Sequence, residues 1–165
     1  MRLDFSGGYA VRPLAAADAE KILALCAGNG QFYRYHPPMA TRESILEDMT
    51  ALPPGVTAIR KHYLGFFDGE TLVAVLDLIE HYPQEGAAYI GFFMTKKERQ
   101  GRGFGTALIG GLLDELRRSK FRKVRLAVDK GNPQSKAFWE KNGFVLPGED
   151  VPHGDSAYLP MEREL

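Results

Sequence analysis

The feature that most constrains the fold is a series of three apolar segments separated by turns too short for a crossover. Residues 62–67 and 71–81 flank Asp68-Gly69-Glu70, and an Asp-Gly pair between apolar runs is a strong hairpin signal. A second turn, residues 82–86, leads into a strand over 87–95. Strands joined this tightly are antiparallel neighbours, because a parallel pair needs a connection of about a dozen residues or more.

Other elements fit around that meander. Residues 9–14 read as a short strand ended near Pro13, and 16–26 as a helix with Ile22, Leu23 and Leu25 apolar and Asp18 and Glu20 in its first turn. Residues 28–38 read as an aromatic loop. Thr41 is a suitable N-cap for a helix to Leu52, stopped by Pro53, Pro54 and Gly55. After a polar, glycine-rich loop over 96–103, Phe104, Leu108, Leu112 and Leu116 recur every fourth residue, which predicts a helix to about Ser119. A strand over 124–128 precedes Asn132-Pro133, which opens a helix through Lys141 that Asn142-Gly143 ends. Residues 157–162 form a last strand, with Pro160 marking a bend or an edge. The order β, α, α, βββ, loop, α, β, α, β predicts an α+β (mixed α/β) fold in one domain spanning 1–165.

Lys and Arg together number 21, as do Asp and Glu, so the formal net charge is zero. That speaks against a nucleic-acid partner, which selects for a basic excess. The single cysteine, Cys26, excludes an intrachain disulfide and fits a reducing, cytoplasmic location. The first eight residues hold no apolar signal-peptide core, and no apolar run is long enough to span a membrane. The four histidines are scattered, with no short ligand pair, so no metal is expected.

The chemistry concentrates in the loop Glu98-Arg99-Gln100-Gly101-Arg102-Gly103-Phe104-Gly105-Thr106. It follows a strand and opens a helix, whose N-terminus offers unpaired N–H groups and the positive end of the dipole. Glycines let a diphosphate approach the backbone, and Lys96, Lys97, Arg99 and Arg102 add local positive charge. A Walker loop would need Gly-Lys followed by Ser or Thr, which is absent; a Rossmann fingerprint would need a third glycine where Thr106 stands, and a parallel βαβ unit. On its own the loop says only that an anion binds there. Its pattern, Gln/Arg-x-x-Gly-x-Gly/Ala at Gln100, Gly103 and Gly105, resembles the acetyl-coenzyme A signature of the GNAT superfamily of N-acyltransferases. Residues 132–144, from Asn132-Pro133 through Phe138-Trp139 to Asn142-Gly143-Phe144, resemble that family's later motif.

The resemblance implies a mostly antiparallel twisted sheet of six to seven strands, splayed in the middle and flanked by about four helices. It implies acetyl-CoA as cofactor, with the backbone of Phe93, Met94 and Thr95 pairing the pantetheine arm like an added strand. The N–H groups of Gly101, Arg102, Gly103, Phe104, Gly105 and Thr106, after Gln100, would hold the pyrophosphate, and Asn132 would bond the cofactor near its pantetheine arm. The N–H near Met94 would stabilise the oxyanion as an acceptor amine attacks. Where many family members have the tyrosine that protonates the departing thiolate, this chain has Trp139, a hydrogen-bond donor only.

Asp77 interrupts an apolar run, so burial should perturb its carboxylate; it is the candidate base or amine ligand, against the plainer reading of a structural ion pair. Glu80 and His81 lie near the same strand end. The aromatic loop Phe32-Tyr33-Arg34-Tyr35-His36, with Tyr33 and Tyr35 as the candidate acceptor contacts, lies where the family often shapes its acceptor pocket, and Glu149, Asp150, His153 and Asp155 form an acidic segment suited to a cation. The function implied is transfer of acetyl to a primary amine of a small molecule or peptide in a ternary complex. A non-catalytic acyl-CoA sensor is the alternative, favoured by Trp139, and a homodimer is common among look-alikes.

Overall fold

The computed structural model describes residues 2, 5, 7–147 and 158–165. Six strands form one sheet in chain order: β1 (Ala10–Pro13), β2 (Lys61–Asp68), β3 (Thr71–Glu80), β4 (Ala87–Thr95), β5 (Lys123–Asp129) and β6 (Tyr158–Glu164). All neighbours are antiparallel except β4 and β5, which run parallel because a helix crosses between them. That crossover is α4 (Phe104–Arg118); the other helices are α1 (Ala19–Ala27), α2 (Gly30–Tyr35), α3 (Arg42–Thr50) and α5 (Pro133–Lys141). The meander expected from the Asp-Gly turn is present, and Pro160 sits on the edge strand β6.

The sheet carries a core on each face. On one, Leu108, Ile109, Leu112, Leu113 and Leu116 of α4 and Trp139 of α5 pack on Leu64, Leu76, Leu78, Ile90 and Leu126. On the other, Ile22 and Leu25 of α1, Tyr33 of α2 and Ile45 of α3 pack on Tyr63, Val75 and Met94. Thr41 caps α3 by accepting from Ser44 N–H at 3.1 Å.

α2 corrects the reading of residues 28–38 as a loop: residues 30–35 are helical, which makes five α-helices among the described residues. Gly30 and the prolines 37 and 38 hid it, since both residue types argue for a loop. Tertiary packing of Phe32 and Tyr33 overrides that local preference.

Two irregularities shape the middle of the sheet. Asp77 pairs with Phe92 but Leu78 pairs with Ile90, so Gly91 is the extra residue of a β-bulge in β4. The β4–β5 ladder also stops at Ile90 and Leu126. Beyond it, residues 91–95 and 127–129 diverge, leaving a cleft through the sheet.

Candidate active site

The cleft has a volume of about 310 Å³. Gly91, Phe92 and Phe93 of β4 form one wall, and Val128 and Asp129 of β5 the other; Phe32 of α2 and His36 just after it close one side, Ser135 and Trp139 of α5 another.

Strand pairing decides which backbone groups face it. Lys96 N–H donates to the Val73 carbonyl of β3 at 2.8 Å. Main-chain groups on one strand alternate sides, so Met94 also turns its N–H and C=O to β3, opposite Val75. Phe93 and Thr95 turn theirs to the open edge. The expectation that Met94 supplies the oxyanion donor is therefore corrected: Phe93 N–H faces the cleft. The Thr95 carbonyl already accepts from Asn29 Nδ2 at 3.1 Å and Gln100 Nε2 at 3.0 Å.

The phosphate loop ends at Gly103. Gly101 and Gly103 have φ of +79° and +78°, a left-handed conformation that strains any other residue, and no atom lies within 4 Å of where a Cβ would stand at either. The first closed turn of α4 is Ala107 N–H to the Gly103 carbonyl at 2.9 Å, so the N–H groups of residues 103–106 have no partner inside the helix. A diphosphate fits the room the missing side chains leave, at the positive end of a long helix.

The side chain of Gln100 turns inward instead. Its Nε2 donates to Asn29 Oδ1 at 2.7 Å as well as to Thr95, latching the loop to α1 and β4. Arg99 pairs with Asp68 at 2.6 Å, which removes it from the positive charge expected around the loop. Asn132 is buried and caps α5, its Oδ1 accepting from Ser135 N–H at 3.2 Å.

Trp139 lines the cleft and is also core: its ring lies 6.0 Å from Phe93, 4.9 Å from Phe138 and 5.1 Å from Phe144. Asp77 does not line the cleft. Its Oδ2 is 2.9 Å from Lys61 Nζ under the bulge, its Oδ1 has no hydrogen-bond partner, and burial pushes its carboxyl above the usual range against the pull of Lys61. The geometry shows the ion pair with Lys61.

His81 stacks on Phe121 at 4.8 Å beside Glu85, at the end of β4 remote from the cleft. Tyr33 is buried in the α1–α3 core, its hydroxyl pushed up by burial, and neither it nor Tyr35 lines the cleft. The aromatic segment does reach the site, but through Phe32 of α2 and His36, the residue that follows it. Sequence reasoning placed His36 in the acceptor-pocket loop but gave it no role of its own, and it missed Asp129 as a site residue and Asn29 as the anchor of the loop. Only Asn29 carried a signal, the turn-like Gly28-Asn29-Gly30. The acidic segment Glu149–Asp155 lies outside the described residues.

Residues 24–144 match the family described as "Acetyltransferase (GNAT) family". This chain belongs to that family. It is an acetyltransferase, and its cofactor is acetyl-CoA. Solved GNAT-like structures share the fold across nearly the whole chain. An acetyltransferase from Thermus thermophilus is 22% identical with a TM-score of 0.79, covering 95% of this chain and 97% of that one. The PaiA N-acetyltransferase from Thermoplasma acidophilum, in complex with coenzyme A, is 18% identical with a TM-score of 0.70, covering 96% and 99%. The ribosomal-protein-S18-alanine N-acetyltransferase from Escherichia coli is 16% identical with a TM-score of 0.67, covering 94% and 93%. No curated protein matches significantly in sequence.

Proposed function

We propose that this GNAT acetyltransferase moves the acetyl group to a primary amine of a small molecule or peptide by direct attack within the β4–β5 cleft. The observation that carries this reading is the cleft itself, which passes through the sheet and is lined from both faces. The α4 N-terminus and the edge of β4 bind the cofactor from the α4–α5 side, and α2 leaves the opposite mouth to the acceptor.

Acetyl-CoA supplies an electrophilic thioester carbonyl and a fairly good thiolate leaving group. The open edge of Phe93 and Thr95 would align the pantetheine arm, and Phe93 N–H would be the donor for the negative charge that develops on the carbonyl oxygen. The aromatic wall of Phe93, Phe138 and Trp139 keeps water from the thioester. Trp139 cannot protonate the thiolate. Cys26 is buried, its thiol pushed up by burial, and it does not line the cleft. An acyl-cysteine route is thus unsupported.

A thiol-release assay over amino acids, polyamines, aminoglycosides and peptides tests the reading. Release with at least one amine, with the amide detected by mass, is expected. Acetyl-CoA binding with no release across the panel would overturn it in favour of the sensor that Trp139 suggests. One domain over 1–165, a homodimer and a cytoplasmic location belong to the same reading; light scattering on the purified chain tests the assembly. Among the described residues no helix is long and apolar enough to cross a membrane.

A further inference from the structure

We infer that His36 is the proton acceptor for the attacking amine, with Asp129 as its positioning residue. The inference rests on the proposed amine transfer and names the group that reading leaves open.

His36 follows the last turn of α2, and Asp129 ends β5, 93 residues away in the chain. Their side chains meet across the mouth of the cleft, with Nδ1 2.9 Å from Oδ1. Asp129 is nearly buried, whereas the His36 side chain is 42% exposed. The imidazole centroid lies 5.4 Å from the Phe32 ring and 6.1 Å from the Tyr158 ring.

A carboxylate only accepts hydrogen bonds, so an ionised Asp129 selects the tautomer with hydrogen on Nδ1. The lone pair then lies on Nε2, the ring nitrogen that Asp129 does not hold. This is a base with its orienter, the arrangement that general-base sites share.

The other histidine pairs lie elsewhere. His62 with Glu80, and His81 with Glu85, do not line the cleft, and Asp77 is paired below it. Among the described residues, the titratable groups around His36 are Asp129 on β5, Tyr158 on β6, Tyr89 on β4 and Asp48 on α3. Burial pushes the Tyr89 hydroxyl up, so it is no base near neutrality.

The step balances as follows. The neutral amine nitrogen forms a bond to the carbonyl carbon, the carbon–sulfur bond breaks, and sulfur leaves with the electron pair. The proton shed by nitrogen goes to Nε2 and from there to the thiolate. One imidazole thereby fills both the base's role and that of the acid missing at Trp139.

The test uses the full chain with an amine that wild type acetylates. His36→Gln keeps a donor for Asp129 but no base. It should lower kcat by roughly 10²–10⁴-fold, with acetyl-CoA Kd and Tm near wild type and the acid limb of the kcat/KM profile gone. Added imidazole should restore part of the rate of His36→Ala. By nitrogen NMR, His36 should show the Nδ1–H tautomer in wild type and lose that preference in Asp129→Asn. Undiminished kcat in His36→Gln, or a loss appearing only in Tm or Kd, would overturn the assignment and leave the pair a structural latch. Absence of turnover by wild type with every amine would instead overturn the proposed amine transfer.

Discussion

Asp77 and Asp129 are both strand carboxylates, and only their surroundings separate a structural group from a functional one. An aspartate within an apolar run reveals burial but not which way the side chain turns or what it meets. Lys61 reaches Asp77 because β2 pairs beside it, and the bulge at Gly91 closes over both. The role of His36, a member of the aromatic loop read from the sequence, was illegible for the opposite reason: it depends on a helix before it where the local signals favour a loop, and on a partner 93 residues away. Asp77→Ala should lower stability by about 3–5 kcal/mol by leaving the Lys61 ammonium buried and unpaired, and Lys61→Met in the same chain should recover much of it, both read by urea unfolding. Asp18 offers a pH test. Arg12, at 2.8 Å, holds its carboxyl down to about 2, and the Ala15 N–H donates to it at 2.9 Å. A depressed carboxyl stabilises the fold above its unfolded value of about 4 and loses that contribution as pH falls. A scan of Tm between about pH 4 and about pH 2 should therefore drop more steeply for wild type than for Asp18→Asn.

Elements were more legible than residues wherever their signals are local. The phosphate loop is a contiguous run whose glycines, strand and helix all lie within one stretch of sequence, and the structure keeps that geometry. The cleft is different, since it arises from a one-residue bulge and the early end of one ladder, neither of which has a sequence marker beyond Gly91. A Cβ at Gly91 would stand 2.8 Å from Asp77 Oδ2, an oxygen already fixed by Lys61. Gly91→Ala should cost about 1–3 kcal/mol in chemical unfolding, as overpacking does, and should lower kcat by shifting Phe92 and Phe93. Gly103→Asp should abolish acetyl-CoA binding by calorimetry, because the new side chain strains a left-handed residue and sets a negative charge where the diphosphate binds.

At the scale of the whole molecule, the order of elements followed from turn lengths and periodicity, but the parity of β4 did not, because parity depends on register. That is why the backbone group turned to the open edge is that of Phe93 rather than Met94, while the strand itself is unchanged. The β5–α5–β6 unit joins the meander through a ladder of only Ala87–Ile90 with Lys123–Leu126, backed by α4. A cofactor lying along the open edge of β4 extends that short seam, so binding should stabilise the chain as a unit. At a cofactor concentration of about 100 times Kd the gain is about 2.7 kcal/mol. For a chain of this size that is a rise in Tm of about 5–10 °C. Amide exchange locates the effect. Phe93 and Thr95 should slow on adding coenzyme A, whereas Met94, already turned to β3, should be protected with or without it. Slowing at Met94 alone would reverse the parity and return the oxyanion donor to that residue.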